Sequence, residues 1–296
     1  MTIPESQLDT WSHQGSITQS CATYATIKRS LEASDTKYAD KSYEVFLQGS
    51  YGNDTNIYAE SDVDVVIRLD SVYYYDTSDL TPAELAAFNA AFIPGTYPYA
   101  TYKADVVAAL QKSFGAANVS PDKKAIKIKA SGNRRSADVL VACEFRRYFS
   151  GFAFPRYESG VCFFDSSDNQ IVNYPKQHSI NCTAKHQSTN LWFKPMVRVL
   201  KNMRSRLVET TAIPAGSAPS YFLEGLLYNV PAHKFGMSYS KTFLAVMNWI
   251  LSAERNDLVC ANEQFYLVRD SFSTCWPCAN CDQFVSKVIE LWNNWP

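Results

Sequence analysis

The sequence predicts an α/β protein in which a mixed sheet in the first half of the chain packs against a helical second half. Two observations carry this prediction. Up to about residue 184, short β-rich runs such as residues 43–48 alternate with helical patterns. From residue 185 onward the strand patterns fade, and apolar residues recur at steps of three and four. We therefore expect a bilobed protein with two domains, residues 1–184 and residues 185–296.

The first elements follow from local patterns. Residues 5–35 are predicted to form one N-terminal helix, because apolar residues recur there at steps of three and four: Ile17, Cys21, Tyr24, Ile27 and Leu31. A strand at 43–48 then ends in the turn-rich run GSYGNDTN, and SDVDVVIRL forms a second strand. The run DSVYYYDTSDL is predicted to be a connection to the next helix.

Capping and turn residues define the rest of the first half. In TPAELAAFNAAF, Thr81 is the predicted N-cap, Pro82 the first helical residue and Glu84 the partner in a capping box. The run YKADVVAALQKSFG predicts a helix that ends at Gly115. The run KKAIKIKASGNRRSADVLVACEF predicts a β-hairpin that turns at Gly132-Asn133.

The second half contains four runs with helical period. They are NLWFKPMVRVLKNMRSRL, PSYFLEGLLYNV, YSKTFLAVMNWILSAE and DQFVSKVIELWNNW.

Composition and charge restrict the class of protein. The 296 residues are 46% apolar and 19% charged, as in an ordinary globular enzyme. A net charge of −1 produces no global field that attracts nucleic acid or an anionic membrane, so any attraction for phosphate is local. The N-terminus has no signal-peptide pattern, and no apolar stretch approaches the roughly 20 residues of a membrane span. We expect a cytoplasmic protein with no membrane partner.

Cysteine spacing raises the question of a zinc site. Eight cysteines without a secretion signal are expected to be reduced thiols. The run CWPCANC contains Cys275, Cys278 and Cys281, and Cys260 could supply a fourth ligand to a tetrahedral zinc ion. Because a single C-x₂-C-x₂-C lacks the paired spacing of zinc modules, buried or surface thiols are the alternative.

Paired carboxylates indicate a metal site. Asp62 and Asp64 project from one face of a predicted strand, where a divalent cation would relieve their repulsion. Before them, Gly49 allows the backbone to approach a phosphate, and the Ser50 hydroxyl can bind its oxygens. Asp138, on another predicted strand, is the candidate third ligand that would bind a second metal and help deprotonate an attacking hydroxyl. Each feature alone has a structural explanation, but their order on predicted strands indicates a two-metal site.

These features, with the runs IVNYPKQH, KPMVRVLKNMR and PSYFLEGLLYNVP, resemble the bacterial cGAS/DncV-like nucleotidyltransferases, in particular the CdnE-type synthases of CBASS anti-phage systems. The resemblance extends from about residue 20 to the final LWNNW. It implies a polymerase-beta-like nucleotidyltransferase core with an N-terminal spine helix over residues 1–184, a helical C-terminal lobe over 185–296 and an active-site cleft between them.

The same resemblance implies an activity and its partners. Two Mg²⁺ or Mn²⁺ ions would assist the joining of NTPs, including ATP, into a cyclic di- or trinucleotide second messenger, with release of pyrophosphate. An effector protein would sense that product in antiviral defence. We expect a monomer that requires no DNA.

Further site residues come from the resemblance. Lys194, Arg198 and Lys201 share one face of a predicted helix, which in its plainest interpretation is a solvated basic face. By similarity, Lys201 matches a lysine that contacts the donor triphosphate, and Arg198 is a further nucleotide-binding candidate. Ser220 and Tyr221 match a pair in which serine reaches phosphate and tyrosine stacks on the donor base. Ser220 is also a predicted helix N-cap.

The chain departs from the family at one position. Many members carry Asn after the lysine that corresponds to Lys185, in a segment near the acceptor base, whereas this chain has His186. Both residues are nucleotide-binding candidates, and the alternative for His186 is a surface loop histidine.

Two other functions remain open at this point. A linear polymerising or protein-modifying nucleotidyltransferase would share the Gly-Ser pair and the aspartates, so only the product distinguishes it. An inactive ligand-binding module is disfavoured because all three aspartates are present. The bases joined, the linkage and the ring size also stay open.

Overall fold

The structure is a computed structural model that describes residues 1–15, 17–58, 62–151, 156–270, 272 and 274–296. The chain forms two compact units built from discontinuous segments. The sheet unit contains Thr18–Gln48 and Asp62–Pro175, and the helical unit contains Met1–Ile17, Gly49–Ser61 and Lys176–Pro296. The predicted domain boundary between residues 184 and 185 stays a prediction.

The α-helices of the described chain are α1 (Glu5–Ser12), α2 (Thr18–Leu31), α3 (Gly49–Gly52), α4 (Pro82–Ala91), α5 (Tyr99–Phe114), α6 (Pro175–Ser188), α7 (Phe193–Glu209), α8 (Ser220–Asn229), α9 (Tyr239–Ser252) and α10 (Cys278–Asn293). The strands are β1 (Tyr43–Leu47), β2 (Val63–Asp76), β3 (Val119–Pro121), β4 (Ile126–Ile128), β5 (Ala137–Phe149), β6 (Arg156–Phe164) and β7 (Gln170–Asn173).

The sheet has a mixed topology. Its strand order is β1-β2-β5-β4-β3, while β6 pairs with the second half of β5, and β7 pairs with β6. Strands β2 and β5 are parallel, and the other described strand pairs are antiparallel. Consecutive residues Val65, Val66 and Ile67 are fully buried, so both faces of β2 are covered at this point. Helix α2 packs on β1 and β2, and α5 packs on β5.

Strand β2 is longer than predicted. The tyrosine-rich run expected to be a connection continues the strand to Asp76, after an irregularity between Leu69 and Tyr73 shifts the register. Aromatic residues suit a pleated surface, and the Arg146 guanidinium on β5 lies 3.8 Å from the centre of the Tyr73 ring. Cross-strand pairing therefore extends the strand past the predicted end.

The predicted single N-terminal helix is wrong, because α1 and α2 are separate helices. Between them, the Gly15 N–H donates to the Asn56 carbonyl oxygen at 3.1 Å. A Cβ atom at Gly15 would lie 2.7 Å from the Ile57 carbonyl oxygen. This close approach requires glycine and interrupts the helix, although the predicted helical period from Thr18 to Leu31 is confirmed.

Other local predictions are confirmed. Thr81 and Glu84 form the complete capping box of α4, and Gly115 follows α5 with φ 84°. In the hairpin between β4 and β5, Ser131 and Arg134 form a bridge around the turn. Local hydrogen bonds decide these features, so sequence patterns are sufficient to find them.

The helical unit has its own apolar core. The predicted apolar stripe of α7 is buried and consists of Met196, Val199, Leu200, Met203 and Leu207. Phe243 of α9 stacks on Trp292 of α10 with ring centres 4.3 Å apart. Within the described segments, no helix is long and apolar enough to cross a membrane.

We expect Gly15→Ala to lower the free energy of unfolding by about 1–3 kcal/mol, because the new methyl group overlaps the Ile57 carbonyl and the backbone must shift. Denaturant unfolding measures the change. Gln187→Ala, at an exposed position on α6, is the control and should stay within about 0.5 kcal/mol of wild type. Equal stability of the two variants would contradict the steric explanation for the helix break.

Candidate active site

The sheet unit brings the predicted aspartates to neighbouring strand ends. Asp64 of β2 and Asp138 of β5 are register partners in the parallel pair. Neighbouring strands lie about 4.8 Å apart, and register partners project from the same face. Asp62 immediately precedes β2, and its carboxylate accepts a hydrogen bond from the Ser136 hydroxyl. The predicted carboxylate group therefore occupies one edge of the β2–β5 pair.

The electrostatics of this edge suit a cation and a proton acceptor. Burial, followed by the charge of Asp62, raises the pKa of Asp138. Lys127 on β4 is the register partner of Asp138 and opposes that shift. Its ammonium group lies 3.0 Å from the Asp122 carboxylate, and Asp122 and then Asp138 raise the pKa of Lys127. Sequence reasoning missed Lys127 as a neighbour of the site, because only the hairpin register reveals it.

The donor set fits a magnesium-type ion. Carboxylate oxygens are hard ligands of the kind that Mg²⁺ prefers. Among the described residues, His178, Cys182 and Glu224 each offer one potential ligand atom, and these three atoms lie within 4.8 Å of one another. In the described part of the chain, the three aspartates do not form such a group.

The cysteines of the candidate zinc site do not converge. Among the described residues, no group of three potential metal ligands contains Cys260, Cys275, Cys278 or Cys281. The Cys260 thiol donates to the Tyr266 carbonyl at 3.4 Å. Cys281 faces the core of the helical unit, whereas Cys278 at the start of α10 is partly exposed. The described structure therefore does not support the zinc hypothesis and favours its alternative, buried and surface thiols.

In the helical unit, the predicted Gly-Ser pair begins the one-turn helix α3, and residues Gly49–Asn56, which comprise α3 and the four residues after it, are called the Gly49 loop below. Gly49 has φ 64°, a left-handed conformation that favours glycine. The Asn53 N–H donates to the Gly49 carbonyl at 3.0 Å, and the Thr55 N–H donates to the Ser50 carbonyl at 2.9 Å. Backbone hydrogen bonds therefore close the loop on itself around Ser50.

Three cations of α7 hold the end of this loop. The Lys194 ammonium group lies 2.9 Å from the Asp54 carboxylate, and Arg198 donates to the Asp54 carbonyl at 2.6 Å. Lys201, fully buried, donates to the Thr55 carbonyl at 2.9 Å. The interpretation of this face as solvated is wrong. Direct contact of Lys201 and Arg198 with a nucleotide stays a prediction.

Glu224 was missed as a site residue, although it was visible as the charge that interrupts the apolar run of α8. Its carboxylate is 2% exposed and accepts hydrogen bonds from Asn53 at 3.0 Å, from the Thr55 hydroxyl and from His178 Nε2 at 2.6 Å. Burial alone would raise the pKa of Glu224, but the His178 hydrogen bond and the charge of Lys201 lower it overall. The residue is therefore an ionised carboxylate inside the helical unit.

Tyr221, the predicted base-stacking residue, lies beside this carboxylate. Its ring stacks on His178 with ring centres 4.8 Å apart and planes 22° from parallel. Its hydroxyl accepts a hydrogen bond from the Asn262 amide at 2.9 Å, and burial raises the pKa of that hydroxyl. The Tyr221 ring is thus held in place by the stacked imidazole on one face and by the hydrogen bond at its hydroxyl group.

Ser220 is the first residue of α8, and the N-cap is Pro219, so the predicted N-cap role of Ser220 is wrong. The preceding proline occupies the extended position that a capping residue needs. The Ser220 hydroxyl accepts a hydrogen bond from Arg204 of α7 at 3.0 Å. Arg204 is a second neighbour of the site that sequence reasoning missed.

Lys185 and His186 lie in the last turn of α6, so the interpretation of His186 as a loop residue is wrong. Lys185 donates to the Val230 carbonyl, and its ammonium group lies 5.7 Å from the centre of the Tyr228 ring. Burial, then the charges of Lys194 and Arg198, lower the pKa of His186 to about 4. This imidazole is therefore neutral at pH 7.

The chain is similar to known proteins over its whole length. Residues 180–293 match the family model of the cGAS/DncV-like nucleotidyltransferase C-terminal helical domain. The whole chain is 39% identical to the cyclic UMP-AMP synthase of Rhodothermus marinus, covering 99% of that protein. It is 33% identical to the cyclic nucleotide synthase CdnE01 of Staphylococcus haemolyticus, with 100% of both chains covered.

Solved structures have the same fold. The Rhodothermus marinus CdnE c-UMP-AMP synthase, determined with Apcpp and Upnpp, superposes with a TM-score of 0.90 over 99% of this chain and 97% of that chain. The Elizabethkingia meningoseptica CdnE cyclic dinucleotide synthase, with GTP and Apcpp, is 29% identical, with a TM-score of 0.78 over 98% of both chains. These similarities confirm the predicted fold class. The chain therefore belongs to the CdnE-type cyclic nucleotide synthases of the cGAS/DncV-like nucleotidyltransferase family.

Proposed function

We propose that this enzyme joins two nucleoside triphosphates into a cyclic dinucleotide, releases pyrophosphate, and signals through an effector protein in anti-phage defence. The observation that carries the proposal is the register pairing of Asp64 with Asp138, with Asp62 at the same sheet edge. The product class follows the names of the relatives, which include a cyclic UMP-AMP synthase, a cyclic dipurine synthase and a cyclic dipyrimidine synthase. Since these products differ, similarity alone does not select the bases.

Asp62, Asp64 and Asp138 are the proposed metal ligands. Mg²⁺ or Mn²⁺ bound there would neutralise triphosphate charge and lower the pKa of the attacking hydroxyl. Asp138 would also help to deprotonate that hydroxyl, as a carboxylate held beside the attacking oxygen.

The helical unit supplies the proposed nucleotide contacts. The backbone of the Gly49 loop and the Ser50 hydroxyl would bind phosphate oxygens, as would Ser220 with its neighbour Arg204. The Tyr221 ring would stack on the donor base. Lys185 and His186 are proposed to lie near the acceptor base, where a neutral His186 offers hydrogen bonds without charge.

The proposal is tested by incubating the protein with Mg²⁺ or Mn²⁺ and all four NTPs, followed by phosphatase treatment and mass spectrometry. A phosphatase-resistant product with the mass of a cyclic dinucleotide supports it. A phosphatase-sensitive linear oligomer, a nucleotide attached to protein, or no pyrophosphate release would overturn it. ATP with UTP is the first pair to examine, given the relative with 39% identity.

The double variant Asp62→Asn, Asp64→Asn should make no product and should keep its fold. Two negative charges disappear, so stability in the absence of metal should not fall. Product formation and melting temperature are measured on one preparation. Asp40→Asn, at an exposed position of the sheet unit, is the control and should retain full turnover. Wild-type turnover by the double variant would contradict the metal-site assignment.

Tyr221→Ala should raise the KM for NTPs by roughly 5- to 150-fold, because stacking on an aromatic ring contributes about 1–3 kcal/mol per base. Tyr221→Phe keeps the ring but loses the hydrogen bond from Asn262. It should therefore lose about 0.5–1.5 kcal/mol of stability while its KM stays near wild type. If Tyr221→Ala lowers only the melting temperature, the ring is merely part of the core.

His186 should make the protein less stable as the pH falls from 6.5 towards 4. Its folded pKa of about 4 lies below the ordinary value of 6.5, so the unfolded chain binds the proton first in this window. His186→Gln should remove that part of the pH dependence. Urea unfolding at pH 7 and pH 5 measures it, with Gln187→Ala as the control. Identical pH dependence in wild type and His186→Gln would show that this histidine does not titrate abnormally.

A further inference from the structure

We propose that Glu224 is a positioning residue that fixes the Gly49 loop and the Tyr221 ring relative to each other. This inference deepens the proposed function and rests on it, because Ser50 and Tyr221 are there the proposed contacts for phosphate and base. Glu224 itself is buried and contacts neither phosphate nor base in the proposal. It acts through its hydrogen-bond partners.

The first connection leads to the loop. Asn53 and Thr55 donate side-chain hydrogen bonds to the same carboxylate, and both are buried. The Thr55 N–H also donates to the Ser50 carbonyl, and the Asn53 N–H donates to the Gly49 carbonyl. A shift of the Glu224 carboxylate is therefore transmitted through two residues to the backbone around Ser50.

The second connection leads to the aromatic ring. An ionised carboxylate only accepts hydrogen bonds, so His178 must carry its proton on Nε2. His178 Nδ1 is buried and has no hydrogen-bond partner among the described residues. The bond to Glu224 therefore sets the orientation of the imidazole, whose face stacks on Tyr221. Glu224 and Tyr221 also lie one helical turn apart on α8.

Charge balance explains why a carboxylate occupies this position. Lys201 is fully buried, donates to the Thr55 carbonyl and lowers the pKa of Glu224. A buried ammonium group needs a counter-charge, and Glu224 supplies it beside the same loop segment. An amide could keep part of the hydrogen bonding but would leave Lys201 without this negative charge.

The cluster of His178, Cys182 and Glu224 also has the composition of a metal site. The hydrogen bonds argue for the positioning role instead. One carboxylate oxygen accepts from Thr55, and the other accepts from both Asn53 and His178. A metal ion would have to displace these donors, and burial holds the Cys182 thiol well away from the thiolate form by raising its pKa.

Two variants test the two connections while Glu224 stays in place. Thr55→Val keeps the side-chain shape but removes one donor of the loop. His178→Phe keeps an aromatic ring under Tyr221 but removes the bond to Glu224. We expect Thr55→Val to lower kcat/KM about 10- to 100-fold, mainly through kcat, because a misplaced triphosphate reacts slowly. We expect His178→Phe to act mainly through KM, because the base platform is reoriented.

Glu224→Gln provides the coupling measurement. If Thr55 acts through Glu224, the double variant Thr55→Val, Glu224→Gln should lose much less kcat/KM than the product of the two single losses. Thr242→Val is the matched control, because Thr242 is also a fully buried hydroxyl of the helical unit, whose oxygen accepts from the Met237 N–H. It should lower the melting temperature and leave kcat and KM within twofold of wild type.

Kinetics, melting temperature and affinity for a non-hydrolysable ATP analogue with Mg²⁺ are measured for every variant. The positioning role is overturned if the two losses in the double variant are independent. It is also overturned if Thr55→Val and His178→Phe behave like Thr242→Val. In both cases, synthesis by the wild-type protein would still support the proposed function. If Glu224→Gln does not fold, the positioning role is tested by comparing the kinetics of Thr55→Val and His178→Phe with those of Thr242→Val. A wild-type protein that neither makes product nor binds the analogue would overturn both proposals.

Discussion

The helical unit depends on the ionised carboxylate of Glu224 buried among polar groups of the Gly49 loop. Pairing stabilises a loop whose polar groups are buried, since an unpaired buried donor or acceptor costs about 1–3 kcal/mol. Here Glu224 pairs with the side chains of Asn53 and Thr55, and Lys201 pairs with the Thr55 carbonyl. One anion and one cation thereby allow an irregular segment to be buried against α7 and α8.

The arrangement explains why α7 has two different faces. Its apolar stripe builds the core, as in any amphipathic helix. Its other buried face carries cations whose partners include two backbone carbonyl groups of the loop, those of Asp54 and Thr55. Long basic side chains suit this task because their stems pack against apolar neighbours while their charged ends reach the carbonyl oxygens.

In the sheet unit, the corresponding constraint is the parallel register of β2 and β5. That register places Asp64 beside Asp138 and brings the β4 residue Lys127 to the other side of Asp138. Burial, followed by the negative charge of Asp62, raises the pKa of Asp138. The sheet therefore gathers the three aspartates at one edge, and metal binding there stays a prediction.

The sequence by itself determined the features that depend on local pattern and residue chemistry. Helix α4 with its capping box, the hairpin before β5, the apolar stripe of α7 and the carboxylate pair at Asp62 and Asp64 were all readable from spacing. Only the tertiary structure decided the break at Gly15, because the Ile57 carbonyl that excludes a side chain is distant in sequence. It also decided the hydrogen-bond partners of Lys201, Glu224 and His178, which come from other segments. A charged residue on a helix has the same local pattern whether it faces water or a buried loop, and only the fold distinguishes the two.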